Sequence, residues 1–322
     1  QVLDSAEPSF DPSEAHNWIK AFEPDEFLPE TLESGIINNQ EIKTSNPQKE
    51  LRNNPPIPSK TLIHKLAETG LLTVHKNNKM RFSHQIFGGF LAGNVLGNAN
   101  IDKVLELPTW SGKYLAMSYF AALHDGTHFA NKLIVSSNYP LHRNVFIVSR
   151  WLRNAPIDST WRIPLMEKLV EIIRKPGLPL GLRGQVLAAL VRSNDEGIRL
   201  LLRQMLESAD PDLLQLCILG IAILKDIKSI EKITSLLEHK SPNVIRAACL
   251  GLVTIGTHSA LDQVASLLLH AEKEIRKIAA EALANDTNEG HAMLQEGASL
   301  DDFLVRWAVV YGLGRINTSW AT

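Results

Sequence analysis

Ile275-Arg276-Lys277-Ile278-Ala279-Ala280-Glu281-Ala282-Leu283 is the stretch on which the fold turns. Apolar residues at helical spacing surround a small one, Ala282, near the end of the pattern. The pattern recurs from Leu182 to Leu190, Leu213 to Ile221, Val244 to Leu252 and Val305 to Leu313. The small residue falls at Ala189, Gly220, Gly251, Ala282 and Gly312, at spacings of 31, 31, 31 and 30. A second amphipathic segment lies between successive copies: Ile198–Leu206, Ile230–Leu237, Leu261–Leu269 and Ala292–Leu300. Asp210-Pro211-Asp212, Ser241-Pro242-Asn243 and Asp301-Asp302 supply acceptors and prolines suited to helix starts. This is the signature of stacked helical hairpins, in which a small residue lets neighbouring repeats approach and Leu, Ile and Val fill the layer. The expected class is an all-α solenoid, a superhelix over residues 181–322, with longer degenerate repeats over 105–180. The latter rest on Leu115–Leu123, Val145–Leu152 and Ile163–Ile173.

Upstream the composition changes. Residues 1–60 carry eleven Asp or Glu against five Lys or Arg, whereas the remainder carries 24 against 28. The stretch 1–57 reads as an acidic, linker-like segment with short helices, one of them begun by Asp11-Pro12-Ser13. Over 58–104 the order changes to helix (through Thr61 to Glu68, capped by Ser59 and stopped by Gly70), strand (Leu71 to His75), turn (Lys76 to Lys79), strand (Met80 to Ser83) and helix (His84 to about Leu96). A helix, a hairpin and a helix in this order form the second half of a small winged-helix segment.

The 31-residue unit resembles the HEAT repeat in its short, PBS-lyase-like form, whose motif is Val-Arg-x-Ala-Ala-x-x-Ala-Leu; Ile275–Leu283 and Val305-Arg306-Trp307-Ala308 match it best. The string Phe82-x-His84-x-x-Phe87-x-x-Phe90-Leu91-Ala92 resembles the segment that closes the winged helix of NACHT-type STAND NTPases. The Gln-Glu pair of that family is Gly88-Gly89 here, and its second Ala is Gly93. The resemblance implies that His84 reaches the phosphate of a nucleotide bound upstream; the alternative is that His84 caps the helix after the wing and that Phe82, Phe87 and Phe90 are core. No Gly-x-x-x-x-Gly-Lys-[Ser/Thr] occurs, and Ser111-Gly112-Lys113 lacks the preceding Gly and strand. ATP or ADP is therefore expected only with a domain upstream of Gln1, and the chain reads as the C-terminal part of a signal-transducing ATPase.

Chemistry is sparse in what remains. His124-Asp125-Gly126-Thr127-His128 has ligand-like composition, but Gly126 is expected to break the helix and keep the two imidazoles off one face. No His-Glu pair of the kind used by HEAT-type iron hydroxylases occurs, no nucleophile elbow is present, and nothing singles out a chromophore site for a bilin-lyase-like enzyme. The chain is expected to be non-enzymatic, with no catalytic residue, cofactor or metal. Cys217 and Cys249 lie in apolar runs and read as buried reduced thiols. No stretch approaches the ~20 apolar residues needed to span a bilayer, so a cytoplasmic chain is expected. The expected partner is a protein held along the solenoid surface. The rival is nucleic acid, bound by the basic wing (Lys76, Lys79, Arg81) and by Arg183, Arg246, Arg276 and Arg306, which recur near the starts of the repeat helices. The alternative role for these Arg is to cross-link adjacent repeats through acids at the turns.

Overall fold

The structure, a computed structural model, describes residues 9–20, 59–75, 79–98, 101–107, 111–136 and 141–316. The chain divides into two compact units, Gln1–Asp125 and Gly126–Thr322.

In the first unit Asp11 accepts the Ser13 N–H at 2.8 Å and starts α1 (Pro12–Lys20), as its Asp-Pro-Ser signal predicts. Gly70, at φ +77°, ends α2 (Ser59–Glu68) in the left-handed region, where a Cβ would be strained. The expected hairpin forms from β2 (Leu72–Val74) and β3 (Met80–Phe82), with Thr73 opposite Arg81 and Val74 opposite Met80. A third strand, β1 (Ser9–Phe10), pairs with β3 and gives a β1-β3-β2 sheet. Ala15 of α1, Ile63 of α2, Leu72 and Met80 share one small core, with Phe10 and Phe82 packed against it. Part of the segment expected to be linker-like thus supplies a strand and a helix to this core. Residues 21–57, the rest of that segment's Pro- and Asn-rich run, lie outside the described residues.

The helix after the hairpin, α3 (Gln85–Val95), packs on α5 (Ser111–Leu123), with the short α4 (Ile101–Glu106) between them in sequence. The glycines that depart from the NACHT-type string explain this contact. A Cβ at Gly89 would lie 2.6 Å from Leu115 Cγ, and one at Gly93 would lie 2.9 Å from the Ala116 carbonyl oxygen. Phe87 and Phe90 are not core, contrary to the capping alternative: they are 39% and 41% exposed, because the glycines of α3 make its closest approach to α5 and Phe90 meets that helix only at its edge, its ring 5.7 Å from that of Tyr119 and at 90° to it. Lys113, the one lysine of a near-miss phosphate loop, is buried and donates to the carbonyls of Leu105 (2.8 Å), in the last turn of α4, and Leu107 (2.7 Å), just past it. Burial pushes its pKa below the ordinary lysine value.

The second unit opens with α6 (Thr127–Val135), α7 (Arg143–Ser149) and α8 (Arg162–Arg174). The array proper follows in two layers. One contains α9 (Leu180–Arg192), α11 (Pro211–Ile223), α13 (Pro242–Ile255), α15 (Lys273–Leu283) and α17 (Phe303–Leu313), each packed on the next. The other contains α10 (Gly197–Met205), α12 (Ile230–Ser235), α14 (His258–Ser266) and α16 (Glu289–Ser299). Asp210 caps α11 by accepting the Asp212 N–H at 3.0 Å, and Asp302 caps α17 through the N–H groups of Leu304 and Val305. Ser241 occupies the cap position of α13 without a side-chain bond; Pro242 at the first helical position removes one of the donors to be satisfied. Cys217 and Cys249 are unpaired and buried in the first of these layers, where burial pushes both thiols up to about 12.

One polar link between neighbouring helices of the second layer is built on a histidine. His258 Nδ1 on α14 lies 3.0 Å from Glu289 Oε2 on α16, and its Nε2 lies 3.6 Å from Asp262. The bond to Glu289, then the charge of Asp262, raises the His258 pKa above its ordinary 6.5. A raised folded-state pKa gives stabilisation that is fully present below the ordinary value and is lost as pH rises through the raised one. His258→Gln is therefore expected to melt below the wild type at about pH 5.5 and level with it at about pH 8.5. Equal gaps at both pH values would show that the imidazolium contributes nothing.

Candidate interaction surface

In the helix layer α9, α11, α13, α15 and α17, equivalent positions can be followed from repeat to repeat at the 31-residue spacing. Three rows lie on the side not used for packing, one, two and three turns along each helix. The first is Gly184, Gln215, Arg246, Lys277 and Trp307; the second is Ala188, Leu219, Leu250, Glu281 and Tyr311; the third is Arg192, Ile223, Thr254, Asn285 and Arg315. Residues four apart on a helix share a face, so the rows form one stripe. Its earlier part carries exposed apolar side chains, Leu219 and Ile223 (61% exposed), beside Gln215 and Arg192. Its later part is basic and aromatic.

Glu281 is the hub of that later part. Tyr311 donates its hydroxyl to Glu281 Oε1 at 3.1 Å, Arg315 pairs with the same oxygen, and Arg246 Nε lies 3.8 Å from Oε2. Arg315 also donates to the Tyr311 oxygen at 3.0 Å. The Trp307 and Tyr311 rings stack at 6.3 Å and 12°. Lys273 sits 4.2 Å above the Trp307 ring, and Lys277 lies 5.4 Å from Trp307 and 5.0 Å from Tyr311. Beside them a cavity of about 400 Å³ is lined by Arg246, Leu250, Ile278, Glu281, Asn285 and Arg315. Four cations (Arg246, Lys273, Lys277 and Arg315) meet two carboxylates here, Glu281 and the Glu274 that pairs with Lys277 at 3.0 Å. Such a surface offers flat aromatic contact, apolar contact and forked donors, the groups enriched at protein interfaces.

The expected arginine ladder is placed otherwise. Arg183 is buried and donates from Nε to the Ile173 carbonyl (2.8 Å) and from Nη2 to Asp210 Oδ2 (2.6 Å). Arg276 is buried too, and its Nη1 reaches the carbonyls of His270 (2.6 Å) and Ala271 (2.8 Å). Arg306 is half-exposed and pairs with Asp301 of its own turn at 3.4 Å. Only Arg246 of the four stands on the exposed stripe. They form no common basic stripe; Arg183 does reach an acid at the next repeat's turn, Asp210, as the cross-linking alternative expects, whereas Arg246 meets Glu281 within α15. Sequence reading missed a further member, Arg162, which is buried against the carbonyls of Leu152 (2.8 Å), Ala155 (3.3 Å) and Ser193 (2.9 Å). It also missed Arg203, which grips Asp226 in a fork and holds that carboxyl below the ordinary range.

In the first unit His84 occupies the cap position of α3, and its Nδ1 accepts the Ile86 N–H at 3.2 Å. Its Nε2 takes no part in that bond, and the residue is exposed. Arg81 is exposed on β3, the carbonyl of Lys79 accepts the His75 N–H at 2.7 Å, and Lys76 lies outside the described residues. α5 ends at Leu123 and α6 begins at Thr127, so His124 lies just past α5 while His128 is on α6, and the His124 ring lies 5.3 Å from that of Phe120. Among the described residues no group of three His, Cys, Asp or Glu is placed to hold a metal ion, and no helix is long and apolar enough to cross a membrane.

Two layers of helices, repeated in register with a small residue at each crossing, define a tandem helical-hairpin solenoid. Residues 198–284, from α10 to the end of α15, match the family model for HEAT repeats, so this part of the chain carries HEAT repeats. A search of curated proteins finds none that matches the chain.

Proposed function

We propose that the chain is a non-catalytic interaction and sensor scaffold that binds a protein partner along the exposed stripe of α9, α11, α13, α15 and α17. HEAT repeats commonly serve as protein-interaction scaffolds and generally do no chemistry themselves. The observation that carries the proposal is the run from Ile223, 61% exposed, through Leu219 and Leu250 to the Arg246, Trp307 and Arg315 cluster. A photo-crosslinking residue placed at Ile223 identifies the partner, which is then titrated against purified variants. Ile223→Asp and Arg315→Glu are expected to weaken binding at least tenfold each, on the scale of about 1.4 kcal/mol or more. Unchanged affinity in both variants would exclude this face.

In the finer reading the chain is the C-terminal part of a NACHT-type STAND ATPase, and the region 58–104 is its winged-helix end. Three observations support it: the order α2, β2, β3, α3 ahead of the repeats; the string Phe82, His84, Phe87 and Phe90; and an apolar face on α3 that leaves Ile86, Leu91 and Val95 exposed. An upstream nucleotide-binding module would cover such a face and bring a phosphate to His84 Nε2. The full-length coding sequence tests this, because a chain without a phosphate-binding loop ahead of Gln1 is not such an ATPase.

A further inference from the structure

A second surface, centred on α14 and α16, has the opposite electrostatic character. Between α14 and α16, and reaching the start of α17, lies a groove of about 610 Å³, within the range of ligand-binding clefts. Its apolar lining includes Met293, Leu269 (67% exposed) and Leu300 (44% exposed). Ala265, Ala292 and Gly297 keep the lining low where larger side chains would fill it. The charged lining consists of Asp262, Glu289 and Glu296, with His258 held between the first two; among the described residues no Lys or Arg lines the groove. Beyond Leu300, Asp301 is paired with Arg306 and Asp302 caps α17, so the free acidity of the rim is that of the groove's own lining. An apolar trough whose rim sets three carboxylates against one histidine attracts cations and repels acidic segments.

The spacing of the rim narrows the occupant further. Glu289 and Glu296 are seven residues apart on α16, two helical turns or about 10.5 Å along one face. A helix laid along α16 matches that distance with cations at i and i+7, and its i+3 and i+4 residues then face the apolar lining. We propose that this groove docks a basic amphipathic helix of a protein partner, with Lys or Arg at i and i+7 and aliphatic side chains between them. The proposal goes beyond the exposed-stripe reading and shares no residue with it, so either can fail alone.

The probe is a fluorescein-labelled 15-residue helical peptide with an Ala/Leu stripe and Lys at i and i+7, set beside a twin with Glu at those two positions. Anisotropy titrations use the full 322-residue chain. The Lys peptide is expected to bind at least tenfold more tightly than its twin. Glu296→Lys and Leu269→Asp, both at exposed positions, are each expected to cut that binding at least tenfold. Glu231→Lys, an equal charge change on α12 outside the groove, and Ile223→Asp, on the other face, are expected to leave it unchanged. Equal binding of the two peptides overturns the proposal. So does a loss with Glu231→Lys as large as with Glu296→Lys, which would mean attraction to net charge alone.

Discussion

Arg183→Met is expected to destabilise the array by about 3 kcal/mol, the scale of removing one partner from a buried ion pair. The side chain is 1% exposed and carries two separate duties. Its Nε bonds to the Ile173 carbonyl in the last turn of α8, where the final carbonyls have no helical partner and the helix dipole favours a cation. Its Nη2 pairs with Asp210, the residue that also caps α11, one repeat further on. Methionine fills much of the volume but leaves the carbonyl without a donor and the carboxylate without a counter-ion. Burial alone would raise the Asp210 carboxyl; the bonds from Arg183 and from the Asp212 N–H outweigh it and hold the pKa below the ordinary 3.8. A depressed pKa gives stability that is present above the ordinary carboxylate value and is lost as pH falls through the folded one. The gap between wild type and Arg183→Met is therefore expected to narrow below about pH 4. Arg183→Lys keeps the charge but not the fork, and recovers less than half of the loss. Urea unfolding of the full chain, followed by circular dichroism, reads wild type and both variants; a Met variant within about 0.5 kcal/mol of wild type would refute the assignment.

The same arginines show what sequence can and cannot carry. The hairpin array was legible because its signals are local and repeated: 31-residue spacing, aliphatic periodicity and helix-start residues such as Asp210 and Asp302. The fate of each Arg was not, since it depends on one position of register. Arg183, Arg276 and Arg306 align one residue before Arg246, and one residue turns a side chain by about 100° around the helix. Arg183 and Arg276 therefore point into helix-end carbonyls, while Arg246 stands on the exposed stripe. Arg162 was hidden for another reason: it lies in the degenerate part of the array, where no spacing aligns it. The stripe itself was present in the alignment as the rows Arg246-Lys277-Trp307 and Glu281-Tyr311. It becomes recognisable only once the packed side of each helix is known. In the first unit, Phe87 and Phe90 look like core by composition, but the glycines beside them make the close approach to α5 and leave both rings more than a third exposed.

The small-residue row yields the sharpest contrast in sign. Replacing a mid-helix Gly by Ala ordinarily gains about 0.5–1 kcal/mol from helix propensity. Gly184 and Gly312 lie in the same layer, on α9 and α17, and differ in what a Cβ would meet. At Gly184 the nearest atom is a Leu216 methyl at 3.8 Å, an ordinary contact. At Gly312 the Cβ would stand 2.8 Å from the Ala280 carbonyl oxygen and 3.0 Å from its Cβ, on the backbone of α15. A flexible side chain can turn away from such a contact; a helical carbonyl bonded within its own helix moves only with α15. The overpacking cost, about 1–3 kcal/mol and here toward the upper end, exceeds the propensity gain. Gly312→Ala is thus expected to lose about 2 kcal/mol, whereas Gly184→Ala gains a few tenths or more. Gly220 falls between them, because its close neighbours are Leu187 and Leu202 methyls that can rotate. The predicted order of urea midpoints is Gly184→Ala highest, then wild type and Gly220→Ala close together, then Gly312→Ala. If Gly312→Ala unfolds at or above the wild-type midpoint, the small residue does not set the spacing between α15 and α17, and the 31-residue row has no steric cause at its last step.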